Sequence, residues 1–255
     1  MSERDLKKYY SYKSDGGIIE LQLPMNIITV ITPIRLQQWA NDLEKAYHTF
    51  AELTNYRPYK TIIVEAYKPA TYWGYVIEGS NVIHIDCHFL YQDLKKMAKR
   101  KNDWNFCVLH EMGHIFDFYR SWCFEPEMMT DLKVAYVLEM NGAAAAPSEF
   151  AETECFYGMD IMRAYDKLGT ELSSSYNVFG CVHRFLQIEA EIGWEPFKKV
   201  FHYLQKNNDK YMKLSKREKF ENFIYALTLY GKKDIKSYFT PNEWETITNQ
   251  LDKYL

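Results

Sequence analysis

The sequence predicts an α+β fold, with a small mixed N-terminal sheet and a mainly helical C-terminal half. Three observations predict it. Runs of β-branched and apolar residues of strand length are concentrated before about residue 90. Beyond that point apolar residues recur at helical spacing. The chain has 255 residues and is 47% apolar, ample for one sizeable core or two tightly joined halves. The expected plan is a single domain: a loose lead-in over 1–16, a sheet and one central helix over 17–120, and a helical subdomain over 121–255.

Taken in order, MSERDLKKYYSYKSDG (1–16) is polar and reads as the lead-in. GIIELQLPMNIITVI (17–31) is β-branched, is broken by Pro24, and reads as two short strands. Thr32-Pro33 opens a helix, with Thr as the cap and Pro at the first helical position. Its residues Ile34, Leu36, Trp39, Leu43, Tyr47 and Phe50 fall close to helical spacing. TIIVEAY (61–67) is a strand, and YWGYVIEGSNVIHIDCHF (72–89) reads as a hairpin turning at Gly79-Ser80-Asn81. Helices follow. In TPNEW (240–244), Thr240 caps, Pro241 comes next and Glu243 completes a capping box.

Composition excludes several function classes. Thirty-one basic residues face 34 acidic ones, with no excess of Lys and Arg, so no nucleic-acid partner is expected. The cysteines, Cys87, Cys107, Cys123, Cys155 and Cys181, are odd in number and lack a CxxC spacing. They read as reduced thiols rather than a disulfide framework or a cysteine metal site. No run of about 18 apolar residues is present, so no transmembrane segment is expected. The start has no apolar signal-peptide core. The expected compartment is therefore the cytosol as written, or secreted or cell-surface if the chain is a trimmed piece of a longer parent. The 42 aromatic rings are expected mainly to fill cores. Nothing in the sequence fixes an oligomeric state.

The chemistry concentrates in LHEMGHIFD (109–117). On a helix, His110 and His114 project from one face, one turn apart. Two imidazoles so placed can ligate one zinc ion, and Glu111 lies where it can take a proton from water at the metal. A catalytic zinc needs a third protein ligand and one open position. The metzincin pattern would put Gly and His at positions 117 and 120, which are Asp117 and Arg120. The next histidine is His183. A carboxylate is therefore expected, giving a gluzincin-type site with one Zn2+ per chain. Glu125, Glu127, Glu149, Glu152 and Glu154 compete. Pro126 offers a helix start that sets Glu127 in the first turn of EMMTDLKVAYVLE, which suits a third ligand.

HEMGH, a short aromatic link, and then Glu127, Asp131 and Tyr136 resemble the enhancin-like family of zinc peptidases, which degrade mucins. In that family the motif is followed by a Glu, a polar residue (usually Asn) four on and a Tyr nine on. GWEPFKKVFHYL (193–204) and KFENFIYALTLYGKKDIKSYF (219–239) are similar to its late helices. The resemblance covers about residues 60–250. It implies a zincin-like metallopeptidase fold, Glu127 as third ligand, and a mucin-like or O-glycosylated protein substrate. Asp131 departs from the usual Asn, and the chain has no room for carbohydrate-binding modules. SEFAETECF also resembles the third-ligand helix of lethal-factor-like toxins, where Glu149 would be the ligand.

The expected activity is zinc-dependent endopeptidase hydrolysis, with Glu111 as the catalytic base. The alternatives are a toxin-type or housekeeping gluzincin acting on an unglycosylated protein, and a non-catalytic zinc-containing module that binds a glycoprotein. Asp117 and Asp131 are candidates to accept the outer ring N–H of a ligand histidine. Tyr119, Tyr136, Tyr157 and His183 are candidates to steady an oxyanion. VIHIDCHF is a candidate edge along which an extended peptide adds as a strand.

Overall fold

The structure is a computed structural model and describes residues 9–67, 72–117, 122–147 and 154–253. Packing divides the chain into two compact units interleaved along the sequence. The first comprises Met1–Thr49, Arg57–Ile115 and Val137–Gly158; the second comprises Phe50–Tyr56, Phe116–Tyr136 and Met159–Leu255.

In the first unit five strands form one mixed sheet: β1 (Tyr9–Lys13), β2 (Ile19–Pro24), β3 (Ile62–Tyr67), β4 (Gly74–Val76) and β5 (Val82–Asp86). Their order is β1-β2-β3-β5-β4. The central strands β2, β3 and β5 are parallel, and β1 and β4 flank them antiparallel. Every second residue of the central strands is buried, at Ile19, Leu21, Leu23, Ile62, Val64, Ala66, Ile83 and Ile85. This is the period of a strand with one face in the core. Each such aliphatic side chain contributes roughly 1.5–3 kcal/mol on burial.

Between β2 and β3 the chain forms the single turn α1 (Met25–Ile28) and the long α2 (Pro33–Thr54). Thr32 Oγ1 accepts from the Arg35 amide at 3.2 Å, the cap the sequence predicts. Leu36, Trp39, Ala40, Leu43, Ala46 and Tyr47 are buried along one face of α2. Trp39 Nε1 donates to the Trp104 carbonyl at 3.1 Å and the Tyr47 hydroxyl to that of Tyr59 at 2.6 Å, so both buried rings satisfy their polar ends. Ile34 is the exception to the predicted stripe: it is 83% exposed, in the first turn.

Three further expectations change. Residues 1–16 are not wholly a lead-in, because Tyr9–Lys13 pair residue for residue with Glu20–Pro24. Where the sequence suggests a second strand, Met25–Ile28 form a helical turn and residues 29–31 leave it as turn and bend. Pro24 ends β2, and Ile27 is buried from the turn that follows, so burial overrides β-propensity. The predicted hairpin is present, with β4 and β5 antiparallel around Gly79 at φ 81°. It stops at Asp86, whose carboxylate accepts from the amides of His88 and Phe89 and converts residues 87–89 into the start of α3 (Cys87–Met97). A second, two-residue ladder joins β6 (Ala144–Ala145) to β7 (Phe156–Tyr157).

The second unit is helical. It contains α6 (Met162–Leu168), α7 (Val178–Ile192), α8 (Trp194–Lys206), α9 (Asn208–Tyr211), α10 (Lys216–Gly231) and α11 (Pro241–Asp252). Its core is a lattice of rings. Phe223 meets Phe124, Phe185, Phe197 and Phe201, and Phe220 meets Phe124, Phe239 and Trp244. Capping boxes at Ser215/Glu218 and Thr240/Glu243 start α10 and α11. Gly193, at φ 73° and ψ 173°, ends α7 and begins α8. That backbone conformation is essentially restricted to glycine. Among the described residues no helix is long and apolar enough to cross a membrane.

Candidate metal centre

The motif lies on α4 (Phe106–Ile115) of the first unit. Asn105 starts this helix: its Oδ1 accepts from the Val108 amide at 2.9 Å, and its backbone sits at φ 68°, which Asn tolerates. Asn105 Nδ2 donates to Asp93 Oδ2 of α3 at 3.2 Å, tying the start of α4 to α3. Burial lifts the Asp93 carboxyl from its ordinary value to about 6, against the opposing pull of Lys96 and Asn105.

Val108, Leu109, Met112 and Gly113 bury the inner face of α4. His110 is half-buried, and Glu111 and His114 are buried. The Nε2 atoms of the two histidines lie 3.1 Å apart with their rings at 88°. Two nitrogens held at about 2.0–2.1 Å by one tetrahedral zinc would be roughly 3.3 Å apart. The pair therefore already has the separation a shared ion requires. Glu111 backs onto β4: a Cβ added at Gly74 would lie 3.0 Å from Glu111 Cγ, 2.8 Å from Ile85 Cδ1 and 3.2 Å from Cys107 Sγ. Only glycine lets the strand approach the glutamate this closely. Burial, followed by the charge of Glu111, pushes the Cys107 thiol well above its ordinary range, so it stays protonated.

Of the competing acids, Glu125 and Glu127 belong to the second unit, at the start of α5 (Pro126–Asn141), and Glu154 belongs to the first. Glu125 Oε2 accepts from the Met128 amide at 2.6 Å and caps this helix. Burial pushes its carboxyl up to about 7; the Met128 bond opposes this, and the charges of Glu127, Asp117 and Asp131 add to it. Glu127 is exposed in the first turn, as predicted from Pro126. His110, His114 and Glu127 each offer one ligand atom, and these atoms all lie within 4.8 Å of one another.

The remaining predicted residues are placed as follows. Asp117 is fully buried, accepts from Thr130 Oγ1 at 2.9 Å and forms an ion pair with Lys133. Asp131 is buried on α5. The Tyr136 hydroxyl points to Glu52 Oε1 at 3.4 Å and its ring meets Trp194 edge-on; burial raises it to about 12. Tyr157 donates to the Lys101 carbonyl at 3.0 Å. His183 Nε2 is 3.9 Å from Asp166, and burial lowers its pKa. Tyr119, Glu149 and Glu152 lie outside the described residues. The strand VIHID is not an edge: β5 is flanked by β3 and β4, and the terminal strand is β4. His84 stacks on Tyr75 across that pairing. Sequence reasoning missed Lys133 and Gly74. Lys133 had a signal, a lone charge inside LKVAYVL. Gly74 had none, because its constraint comes from Cys107 and Glu111 on a helix distant in the chain.

Residues 74–245 match the family described as peptidase M60, enhancin and enhancin-like. The sequence matches no protein of curated function. Among solved structures, a functionally unknown conserved protein from Bacillus anthracis str. Ames superposes with a TM-score of 0.68 at 13% identity. The alignment covers 96% of this chain and 51% of that one. A mutant of a functionally unknown conserved protein from the same organism gives 0.66, again at 13% identity and with the same coverage. This chain thus spans about half the length of those structures, and at such identity the likeness is one of fold.

Proposed function

The chain belongs to the peptidase M60 family, enhancin and enhancin-like, and from that premise we propose that it is a zinc-dependent endopeptidase. His110, His114 and Glu127 would hold the ion. The observation that carries this reading is the 3.1 Å separation of the two Nε2 atoms with Glu111 between them in sequence.

When bound, zinc supplies Lewis acidity to water and to the scissile carbonyl. The chain's own residues do the rest. Glu111, backed by Gly74, takes the proton of the attacking water and returns it to the departing amine. Its burial strengthens its electrostatics, and the close β4 backbone fixes its side chain. An extended substrate would add to β4, the terminal strand beside Glu111, through main-chain hydrogen bonds. The family resemblance supports a mucin-like or O-glycosylated protein as substrate.

The test is Glu111→Gln, assayed by zinc content and by proteolysis of a mucin-type glycoprotein and its deglycosylated form. We expect one zinc per chain in both proteins and a 10²–10⁴-fold loss of cleavage in the variant. Undiminished cleavage by the variant would remove Glu111 from the chemistry. Absence of zinc from metal-replete wild type would remove the whole reading, and equal cleavage of both substrates would remove its glycoprotein part.

A further inference from the structure

Lys133 is fully buried in the middle of α5, among Leu132, Val134, Ala135, Tyr136 and Val137, which are buried too. Its ammonium pairs with Asp117, equally buried, whose other oxygen accepts from Thr130. Removing two charges from water costs several kcal/mol per ion, and a buried pair often contributes no more stability than apolar residues of the same volume. Folding alone therefore gives little reason to keep this one.

Its position gives a reason. Residues three apart on a helix are neighbours along one ridge. Glu127, Thr130 and Lys133 form such a ridge on α5. Asp117 grips the second and third members, and Glu127 is the first, about 4.5 Å nearer the helix start. In sequence Asp117 lies three residues beyond His114. One carboxylate thus joins the segment leaving the histidine helix to the ridge that carries the acid. A charged, two-point hydrogen-bonded clasp has one register, whereas apolar packing at the same place tolerates sliding and rotation.

We propose that Asp117, Lys133 and Thr130 are positioning residues that hold Glu127 in place for the metal, so that they set zinc affinity without touching the ion. This rests on the reading of His110, His114 and Glu127 as ligands.

The experiment measures two quantities on the full chain: the zinc dissociation constant, by competition with a chromophoric chelator, and the melting temperature of the metal-free protein. Wild type, Asp117→Val/Lys133→Met and Thr130→Val are compared. The double variant is expected to melt within a few degrees of wild type or above it, yet to bind zinc 10–100-fold more weakly. Thr130→Val, which keeps the ion pair, is expected to bind a few-fold more weakly. A merely structural pair would do the reverse, lowering the metal-free melting temperature and leaving the affinity of the folded protein alone. A folded double variant with wild-type zinc affinity overturns the proposal. If that variant does not fold, Thr130→Val decides by the same criterion. Wild type that binds no zinc would instead overturn the metal-site reading itself, so the two failures are distinguishable.

Discussion

Asp93 offers a quantitative test of how the start of the motif helix is held. Its carboxylate accepts from Asn105, the residue that caps α4, and is flanked by Lys96, Arg100 and Asp103. Burial raises its pKa from an ordinary 3.8 to about 6 in the folded protein. The sign follows from linkage. Because the folded state binds this proton more tightly, the group contributes stability that is full below about pH 4 and lost as pH rises through 6. A shift of this size is worth roughly 3 kcal/mol at its limit, and about 1.4 kcal/mol between pH 8 and pH 5. Asp93→Asn keeps an oxygen for the Asn105 amide but removes the titration. Urea unfolding of wild type and variant at pH 8 and pH 5 isolates the effect, since the other titrating groups are common to both. The variant is expected to gain on wild type at pH 8 and to give back about 1.4 kcal/mol of that difference at pH 5. A stability difference that does not change between the two pH values would refute the reasoning and leave Asp93 a solvated acid.

Further expectations concern the site and its supports. Gly74→Ala should lower kcat about tenfold at a stability cost of about 1 kcal/mol. Its Cβ would press on Glu111 Cγ at 3.0 Å, and displacing a catalytic group by fractions of an ångström is costly; steady-state kinetics beside thermal melts reads both. Glu127→Ala should weaken zinc binding severely, whereas Glu154→Ala should leave it unchanged; elemental analysis after dialysis distinguishes them, and equal zinc retention would send the search to another acid. Gly193→Ala, forced into φ 73°, should cost about 1–3 kcal/mol, read as a lower melting temperature with zinc content intact.

Much of the fold was legible where a local signal agreed with its surroundings. Thr32-Pro33, Thr240-Pro241 with Glu243, and the Gly79 turn each carry their own hydrogen-bond chemistry, and each appears where predicted. The misreadings arise where partners distant in sequence decide. Tyr9–Lys13 is polar and alternating, and becomes a strand only because β2 supplies an edge. Met25–Val30 has β-branched residues but no strand position left to it after Pro24, so Ile27 is buried from a helical turn. Sheet order was not legible at all. Nothing in VIHID says that β4 will cover it, and so the edge was assigned to the wrong strand.

The site divides along the same line. Two histidines four apart on one helix are a local matter: helical geometry puts them on one face, and their rotamers bring the Nε2 atoms to 3.1 Å. The acid is not local. Five glutamates compete as third ligand in the sequence, and their separation into different jobs depends on burial that the sequence does not display. Glu125 is engaged in capping α5 through the Met128 amide, and burial pushes its carboxyl up to about 7. Glu127, two residues on, is exposed in the first turn of α5 and offers a ligand atom within 4.8 Å of those of His110 and His114. Side chains two apart on a helix do not face each other, so one short segment can supply both a helix cap and an exposed acid. The FEPE spacing, with Pro126 between the two acids, makes that division at the helix start.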